Sequence, residues 1–298
     1  MKKSFLASLL ASALILSACS TSTQSTEKIS VVASFYPIEF LVDQIAKDQV
    51  TLATLVPGGA EPHDYELSPQ DLGTIGSSQV FIVNGLVEPW FSDVEQNLEN
   101  ASVSILNLSK EMTLLESSDP EEPGKDPHVW LDPVLMSQMA DIVRDALIAA
   151  DPDHATLFEA NTITLKQKLT QLDADYKMGL SQCEQKNFVT SHAAFAYLGS
   201  RYGITQVAIS GLSPDAEPSA QKLKDLVDFA RENKVTVIFF ESLVSPALSE
   251  TIAKEVGAET LVLNPLEGLT QEQMAAGEDY FSVMEENLQN LKTALVCE

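Results

Sequence analysis

Three of the four histidines in the chain lie where imidazole nitrogens could bind a metal. His63 lies in a loop after a predicted strand, His128 just before a predicted helix, and His192 at a strand end where a helix begins. In open α/β sheets, ligands bind at the carboxyl ends of strands, and imidazole suits zinc and other transition metals. A lone histidine is more often structural, so the spacing leaves both interpretations open. His154 differs, because it begins a predicted helix, and we expect it to be solvated.

Predicted strands and helices alternate along the chain and would position these loops. The strands form two groups of four, at 29–33, 51–55, 80–83 and 104–106, and at 187–190, 206–209, 235–240 and 260–263. Helices are predicted between them, at 38–46, 69–76, 134–150, 193–202, 219–232 and 246–256. Ser245 is the expected cap of the last of these helices. The alternation predicts an α/β fold in which parallel sheets are covered by helices on both faces.

A long helix is predicted between the two groups, at about 153–181. Its apolar face is formed by residues at helical spacing, Leu165, Leu169, Leu172, Tyr176 and Leu180. The helix would have about 25 residues and a length of about 40 Å. We therefore expect a rigid linking helix at 151–184, between an N-terminal lobe at 29–150 and a C-terminal lobe at 185–298. A packed helix inside one domain is the alternative.

The composition excludes some classes of function. The chain has 298 residues, with 18 Lys and Arg against 43 Asp and Glu, and its net charge at pH 7 is −25. Hydrophobic residues make up 45% of it, so the chain forms a core rather than remaining disordered. The charge argues against nucleic acid as a partner, because binding requires basic residues that displace phosphate counterions. It favours a cationic ligand only weakly, since salt screens surface charge beyond about 10 Å.

The first residues predict export. Lys2 and Lys3 precede an apolar stretch at 5–16, which is too short to span a bilayer and ends in Leu16-Ser17-Ala18-Cys19. This ending is similar to a bacterial lipobox, which implies a signal peptide at 1–18, cleavage before Cys19 and a lipid on that cysteine. A polar tether at 19–28 would then hold the folded part outside the cytoplasm on a membrane anchor. An ordinary signal peptide with an accidental cysteine is the alternative.

The two remaining cysteines, Cys183 and Cys297, would also lie outside the cytoplasm, where disulfides persist. A bond between them would span 114 residues. In the chain-entropy model it would stabilise the fold by about 4–5 kcal/mol. The sequence does not supply the distance between them, so a disulfide and two free thiols both remain open.

Several ordered segments resemble those of a known family. Residues 59–66, 126–133 and 190–195, which contain His63, His128 and His192, are similar to the metal-ligand segments of the ZnuA/AdcA-type solute-binding lipoproteins of zinc and manganese ABC importers. Further similar segments lie at 35–37, 84–90, 209–214 and 264–267, and the resemblance extends from about 29 to 296. It implies two α/β lobes joined by a rigid helix, with one metal held between them. It also implies an ABC transporter permease as partner, and we expect a monomer without enzymatic activity.

The resemblance also implies the ligand set. The three histidine positions map to His63, His128 and His192, and the fourth ligand position falls in 264–269. Glu267 is the expected fourth ligand, with Asn264 as a weaker alternative because a neutral amide oxygen binds zinc poorly. Three imidazoles and one carboxylate suit one tetrahedral Zn(II) ion per chain. Because histidines must be neutral to bind, affinity should weaken below about pH 6.

Three other functions compete with zinc delivery. A manganese-binding member of the family would use more oxygen ligands. A zinc-dependent hydrolase would need an open coordination position, which Glu267 would close. Nothing in the sequence indicates an adhesin. The acidic loop at 116–126 contains no histidine, so we interpret it as a solvated turn rather than a device for capturing metal.

Other residues near the ligands are expected to support them. Asp64, Glu66 and Asp132 lie close in sequence to ligands and could hydrogen-bond to their imidazoles, although Asp132 is better explained as a helix cap. Trp130 and Phe195 are expected either to line the cleft or to belong to the core.

Overall fold

The computed structural model describes residues 28–98, 102–117 and 123–298. The predicted signal peptide at 1–18, Cys19 and the tether up to residue 27 lie outside the described residues, as does part of the acidic loop. Among the helices described, none has both the length and the apolar character needed to cross a membrane.

The first half of the chain forms a parallel sheet of four strands in the order β2-β1-β3-β4. The strands are β1 (Ile29–Ala33), β2 (Val50–Thr54), β3 (Val80–Val83) and β4 (Ser104–Asn107). The helices are α1 (Tyr36–Ala46), α2 (Pro69–Ser77), α3 (Phe91–Leu98), α4 (Leu108–Glu111) and α5 (Pro133–Ala150). Strand β3 is buried along its whole length, as expected for a central parallel strand covered on both faces.

The second half repeats this arrangement in the order β6-β5-β7-β8, again with parallel pairing. The strands are β5 (Asn187–Thr190), β6 (Thr205–Ala208), β7 (Val237–Phe240) and β8 (Glu259–Val262). The helices that follow β5 are α7 (Ala196–Tyr202), α8 (Ala220–Glu232), α9 (Ala247–Val256), α10 (Gln271–Ala276) and α11 (Tyr280–Leu295). The predicted fold of two parallel sheets flanked by helices is therefore confirmed.

The long helix between the sheets, α6 (Ala155–Gly179), has 25 residues. It packs against α1 and α5 of the first half and against α11 of the second. Its predicted apolar face is buried, and the Tyr176 hydroxyl donates a hydrogen bond to the Met284 carbonyl, 2.7 Å away, in α11. One core cluster contains residues of both halves. The helix is therefore held by apolar contacts on both sides.

The starts of two helices can be compared with their predictions. Helix α9 spans Ala247–Val256, and the Ser245 hydroxyl accepts the Ala247 N–H at 3.4 Å, as expected of the predicted cap. Helix α7 begins at Ala196 rather than at the predicted 193, and the backbone N–H of Ala193 donates to the Gly211 carbonyl.

Cys183 and Cys297 are joined by a disulfide, with their Cα atoms 3.9 Å apart. Cys183 follows α6 and Cys297 follows α11, so the bond ties the end of the long helix to the end of the chain. Because Cys183 precedes β5 and His192 follows it, the bond and the histidine lie at opposite ends of that strand.

Replacing both cysteines, in a Cys183→Ser/Cys297→Ser variant, should lower the free energy of unfolding by up to about 5 kcal/mol. The disulfide restricts the unfolded chain, and without it the unfolded state gains conformational entropy. Urea unfolding of the variant and the wild type measures this loss. Wild-type protein unfolded with a reductant present is the control and should match the variant. Equal unfolding midpoints for the variant and the oxidised wild type would contradict the prediction.

Candidate metal centre

Four side chains from distant parts of the chain meet at one buried point. The Glu267 Oε1 atom lies 3.2 Å from the Nε2 atoms of His63 and His128 and 3.4 Å from that of His192. The Nε2 atoms of His128 and His192 are 3.4 Å apart. A tetrahedron around zinc, with bonds of about 2.0–2.1 Å, has edges of about 3.3–3.4 Å. The spacing of these atoms therefore suits a four-coordinate metal ion.

The two halves of the chain each contribute two of these side chains. His63 lies between β2 and α2, and His128 lies just before the short 3₁₀ turn Val129–Leu131 that leads into α5. His192 follows β5, and Glu267 follows β8. Three of these groups lie beyond the carboxyl ends of parallel strands, the edge where α/β folds bind ligands. The predicted convergence of three imidazoles is therefore present in the structure.

The turn that holds Glu267 has an unusual backbone. Leu266, the residue before it, is buried and has φ = 57°, a left-handed conformation that costs free energy for a residue with a branched side chain. The Asn264 Oδ1 atom accepts a hydrogen bond from the Leu266 N–H, at 2.7 Å, and supports the turn. The Asn264 amide thus shapes the backbone before Glu267, and its Nδ2–H donates to the Ser242 hydroxyl at 3.2 Å.

Two carboxylates lie behind the buried histidines. The Asp126 Oδ1 atom is 2.8 Å from the Nδ1 atom of His128 and also accepts the His128 backbone N–H, at 2.9 Å. The Glu241 Oε1 atom is 2.6 Å from the Nδ1 atom of His192. An Nδ1–H that donates to a carboxylate leaves the Nε2 lone pair free to face the centre. Both rings thus have the orientation that a metal requires.

The carboxylates expected to support the imidazoles do not do so. Asp132 caps α5 by accepting from the Val134 N–H, at 2.8 Å, and pairs with Arg201. Asp64 and Glu66 are exposed and make no hydrogen bond to a histidine among the described residues. The expectation was wrong for Asp64 and Glu66, whose side chains point away from the histidines, whereas the helix cap favoured for Asp132 is confirmed. The sequence did not predict that Asp126 and Glu241 are the carboxylates bonded to His128 and His192.

Trp130 connects the two halves beside the cluster. Its Nε1–H donates to the Pro265 carbonyl, 2.7 Å away, and its own carbonyl accepts from the Tyr280 hydroxyl, at 2.6 Å. Its ring lies 5.2 Å from that of His128. Trp130 thus fixes the ligand segment of the first half against that of the second. Phe195 belongs to the core and is fully buried.

A second group of acids lies beside the four ligands. Oxygen atoms of Glu61, Asp64 and Asp215 lie within 4.8 Å of one another, and the two aspartates are exposed. Burial and the charge of Glu267 raise the pKa of Glu61 to about 9. Both effects disfavour a negative charge on Glu61.

The electrostatics of the cluster favour a positive charge at its centre. Burial would raise the pKa of Glu267, but the charges of His192 and His63 outweigh it and hold that pKa well below its usual value. Burial would lower the pKa of His128 and His192, yet the neighbouring carboxylates outweigh it and raise both. These shifts all favour positive charge on the imidazoles and negative charge on Glu267.

Two parallel-sheet lobes share one long helix, and a buried cluster that could hold a metal ion lies between them. A model of the family described as zinc-uptake complex component A, periplasmic (ZnuA), matches residues 31–294, and the chain belongs to that family. The family is one of solute-binding proteins rather than of enzymes. The resemblance seen in the sequence is thus confirmed.

Named relatives and solved structures agree with this assignment. The chain is 43% identical over 292 residues to the zinc-binding lipoprotein AdcA of Streptococcus pneumoniae, covering 94% of this chain and 58% of that protein. It is 36% identical to the high-affinity zinc uptake system protein ZnuA of Bacillus subtilis, covering 95% of this chain and 94% of that one. The chain therefore spans little more than half of the streptococcal relative but nearly all of the second.

The fold is shared with solved structures as well. The Zn(II)-bound ZnuA-like domain of Streptococcus pneumoniae AdcA has a TM-score of 0.79 and 43% identity, covering 90% of this chain and 99% of that one. The laminin binding protein Lmb of Streptococcus agalactiae, described as having adhesin and metal transporting activity, has a TM-score of 0.81 and 32% identity. That match covers 90% of this chain and 99% of Lmb.

Zinc affinity should fall as the pH is lowered, beginning above the pH of about 6 expected from the sequence. The pKa values of His128 and His192 are raised above 6.5, so protons compete with zinc at a higher pH. Each proton that zinc must displace costs about tenfold in affinity per pH unit. Competition titrations with a chelator between pH 8 and pH 5 measure the slope, and an affinity that stays constant over this range would contradict the prediction.

Proposed function

We propose that this protein captures one Zn(II) ion outside the cytoplasm and delivers it to the permease of an ABC importer. The observation that carries the proposal is the cluster of His63, His128, His192 and Glu267, in which the carboxylate oxygen lies 3.2–3.4 Å from the three Nε2 atoms. The zinc-binding relatives described above support the same cargo.

The ligand set supports zinc over manganese. Three nitrogen atoms and one carboxylate oxygen match the donors and the coordination number of zinc. Manganese favours more oxygen ligands in an octahedral arrangement and binds such sites more weakly. Three of the four side chains are buried, which leaves little room for the additional water ligands that manganese would need.

The same geometry argues against catalysis. A hydrolytic zinc site keeps one coordination position open for water. Here Glu267 would occupy that position, and its side chain is only 1% exposed. We therefore propose that the bound ion is cargo and takes no part in a reaction.

The proposed setting is an extracytoplasmic one. A lipid on Cys19 would anchor the chain to the membrane, and the tether at 19–28 would carry the lobes at 29–150 and 185–298 with their linking helix at 151–184. We propose that the protein works as a monomer, since both halves of the metal cluster come from one chain. The permease would receive the ion from the cleft between the lobes.

Single substitutions of the four ligands test the site. His63→Ala, His128→Ala, His192→Ala and Glu267→Ala should each weaken zinc binding at least about 100-fold, or about 2.7 kcal/mol, because each removes one of four metal bonds. Metal analysis and chelator competition measure this effect. His154→Ala is the matched control, since His154 bonds to Asp151 at the start of α6 and is not in the cluster. Four variants that bind like the control would exclude the proposed site.

Growth under zinc limitation tests delivery. A strain that lacks this protein should grow poorly in zinc-depleted medium and recover when zinc is added, because the importer would receive no captured ion. Expression of the wild-type chain should restore growth, and expression of His128→Ala should not. A deletion strain that recovers with manganese but not with zinc would instead support the manganese alternative.

A further inference from the structure

We infer that Glu241 is a positioning residue for zinc binding, which acts through His192 and sets the strength of that ligand. This inference rests on the proposed function, since it concerns the affinity of the same site. Glu241 itself lies outside the ligand cluster.

Strand pairing determines where Glu241 lies. It is the residue directly after β7, and His192 is the second residue after β5, the strand that pairs with β7. The carboxylate and the imidazole therefore project from neighbouring strand ends, and Glu241 Oε1 lies 2.6 Å from His192 Nδ1. The residue is 3% exposed, so water does not screen this contact.

The hydrogen bonds around Glu241 direct its charge toward His192. Its Oε1 atom also accepts a hydrogen bond from the Ser191 hydroxyl, the side chain next to the ligand. Within the described part of the chain, no lysine or arginine forms an ion pair with Glu241. By contrast, Asp126, the corresponding carboxylate behind His128, also accepts a backbone N–H. Among the described residues, the His192 imidazole is thus the one ion-pair partner of Glu241.

This arrangement has two consequences for the ligand. A carboxylate at Nδ1 keeps the proton on that nitrogen, so that Nε2 presents its lone pair to the metal. It also makes the imidazole more basic and fixes the plane of the ring. Loss of such a partner typically weakens metal affinity by about 10–100-fold.

The test compares three variants with the wild type by chelator competition with zinc. Glu241→Gln keeps the shape and an oxygen acceptor but removes the charge, and it should weaken zinc binding about tenfold. Glu241→Ala removes both and should weaken it by up to about 100-fold. Asp173→Asn is the matched control, because it neutralises another buried carboxylate, which bonds to Lys177 and Tyr202 rather than to the cluster.

A spectroscopic readout separates positioning from a general loss of stability. In ¹⁵N-resolved NMR spectra of the zinc-bound protein, the Nδ1–H resonance of His192 should move upfield in Glu241→Gln, while that of His128 stays in place. The visible absorption bands of the Co(II)-substituted protein should shift in Glu241→Gln and not in Asp173→Asn.

The possible outcomes are distinct. Glu241→Gln with wild-type zinc affinity and an unchanged His192 resonance would overturn the inference, and so would an equal loss of affinity in Asp173→Asn. If the wild-type protein itself fails to bind zinc, the proposed function fails. If the wild type binds zinc and the Glu241 variants bind it equally well, only the role of Glu241 fails.

Discussion

The structure depends on bringing one carboxylate oxygen within 3.2–3.4 Å of three imidazole nitrogens in a buried place. When Nδ1 donates to Asp126 or Glu241, the Nε2 lone pairs of His128 and His192 face each other and face Glu267. Such an arrangement is unfavourable unless a positive charge lies at its centre. The raised pKa values of these two histidines and the binding of a dication are two ways in which the same requirement is met.

Bonds between the lobes maintain this arrangement. The Trp130 indole binds the Pro265 carbonyl two residues before Glu267, and Tyr280 binds the Trp130 carbonyl two residues after His128. Tyr197, in the helix after His192, donates its hydroxyl to the Asp126 carbonyl at 2.8 Å and accepts the Leu115 N–H. The segments that carry ligands are thus held by side chains from the opposite half. Buried hydrogen bonds of this kind are costly to break, at about 1–3 kcal/mol for each group left unpaired.

The sequence predicted the fold and the three imidazoles for a physical reason. Buried parallel strands consist of short apolar runs in the sequence. The predicted bounds of β1, β3 and β5 therefore match the observed ones. Because parallel strands end at one edge, histidines after those runs could be placed together. Glu267 came only from the family resemblance, since nothing in Asn264-Pro265-Leu266-Glu267 reveals the left-handed turn at Leu266.

Other features depended on distances that a sequence does not carry. Asp126 and Glu241 were missed because the partner of an imidazole is set by the path of the backbone and by strand pairing, and Glu241 is 49 residues from His192. The disulfide needed the Cα–Cα distance. Helix α11 was missed although the sequence carries its signals: Val283, Leu288, Leu291 and Leu295 recur at helical spacing, and Asp279 and Ser282 form a capping box at its start.

The shared core limits how the ion can leave. Helix α6 packs on both lobes, and one apolar cluster extends through them. A wide rotation of one lobe would expose part of that core at about 25 cal/mol per Å². It would also separate Trp130 from Pro265 and leave two buried polar groups without partners. Small local movements break fewer of these contacts, so the fold favours release through rearrangement near the cluster over opening of the whole molecule.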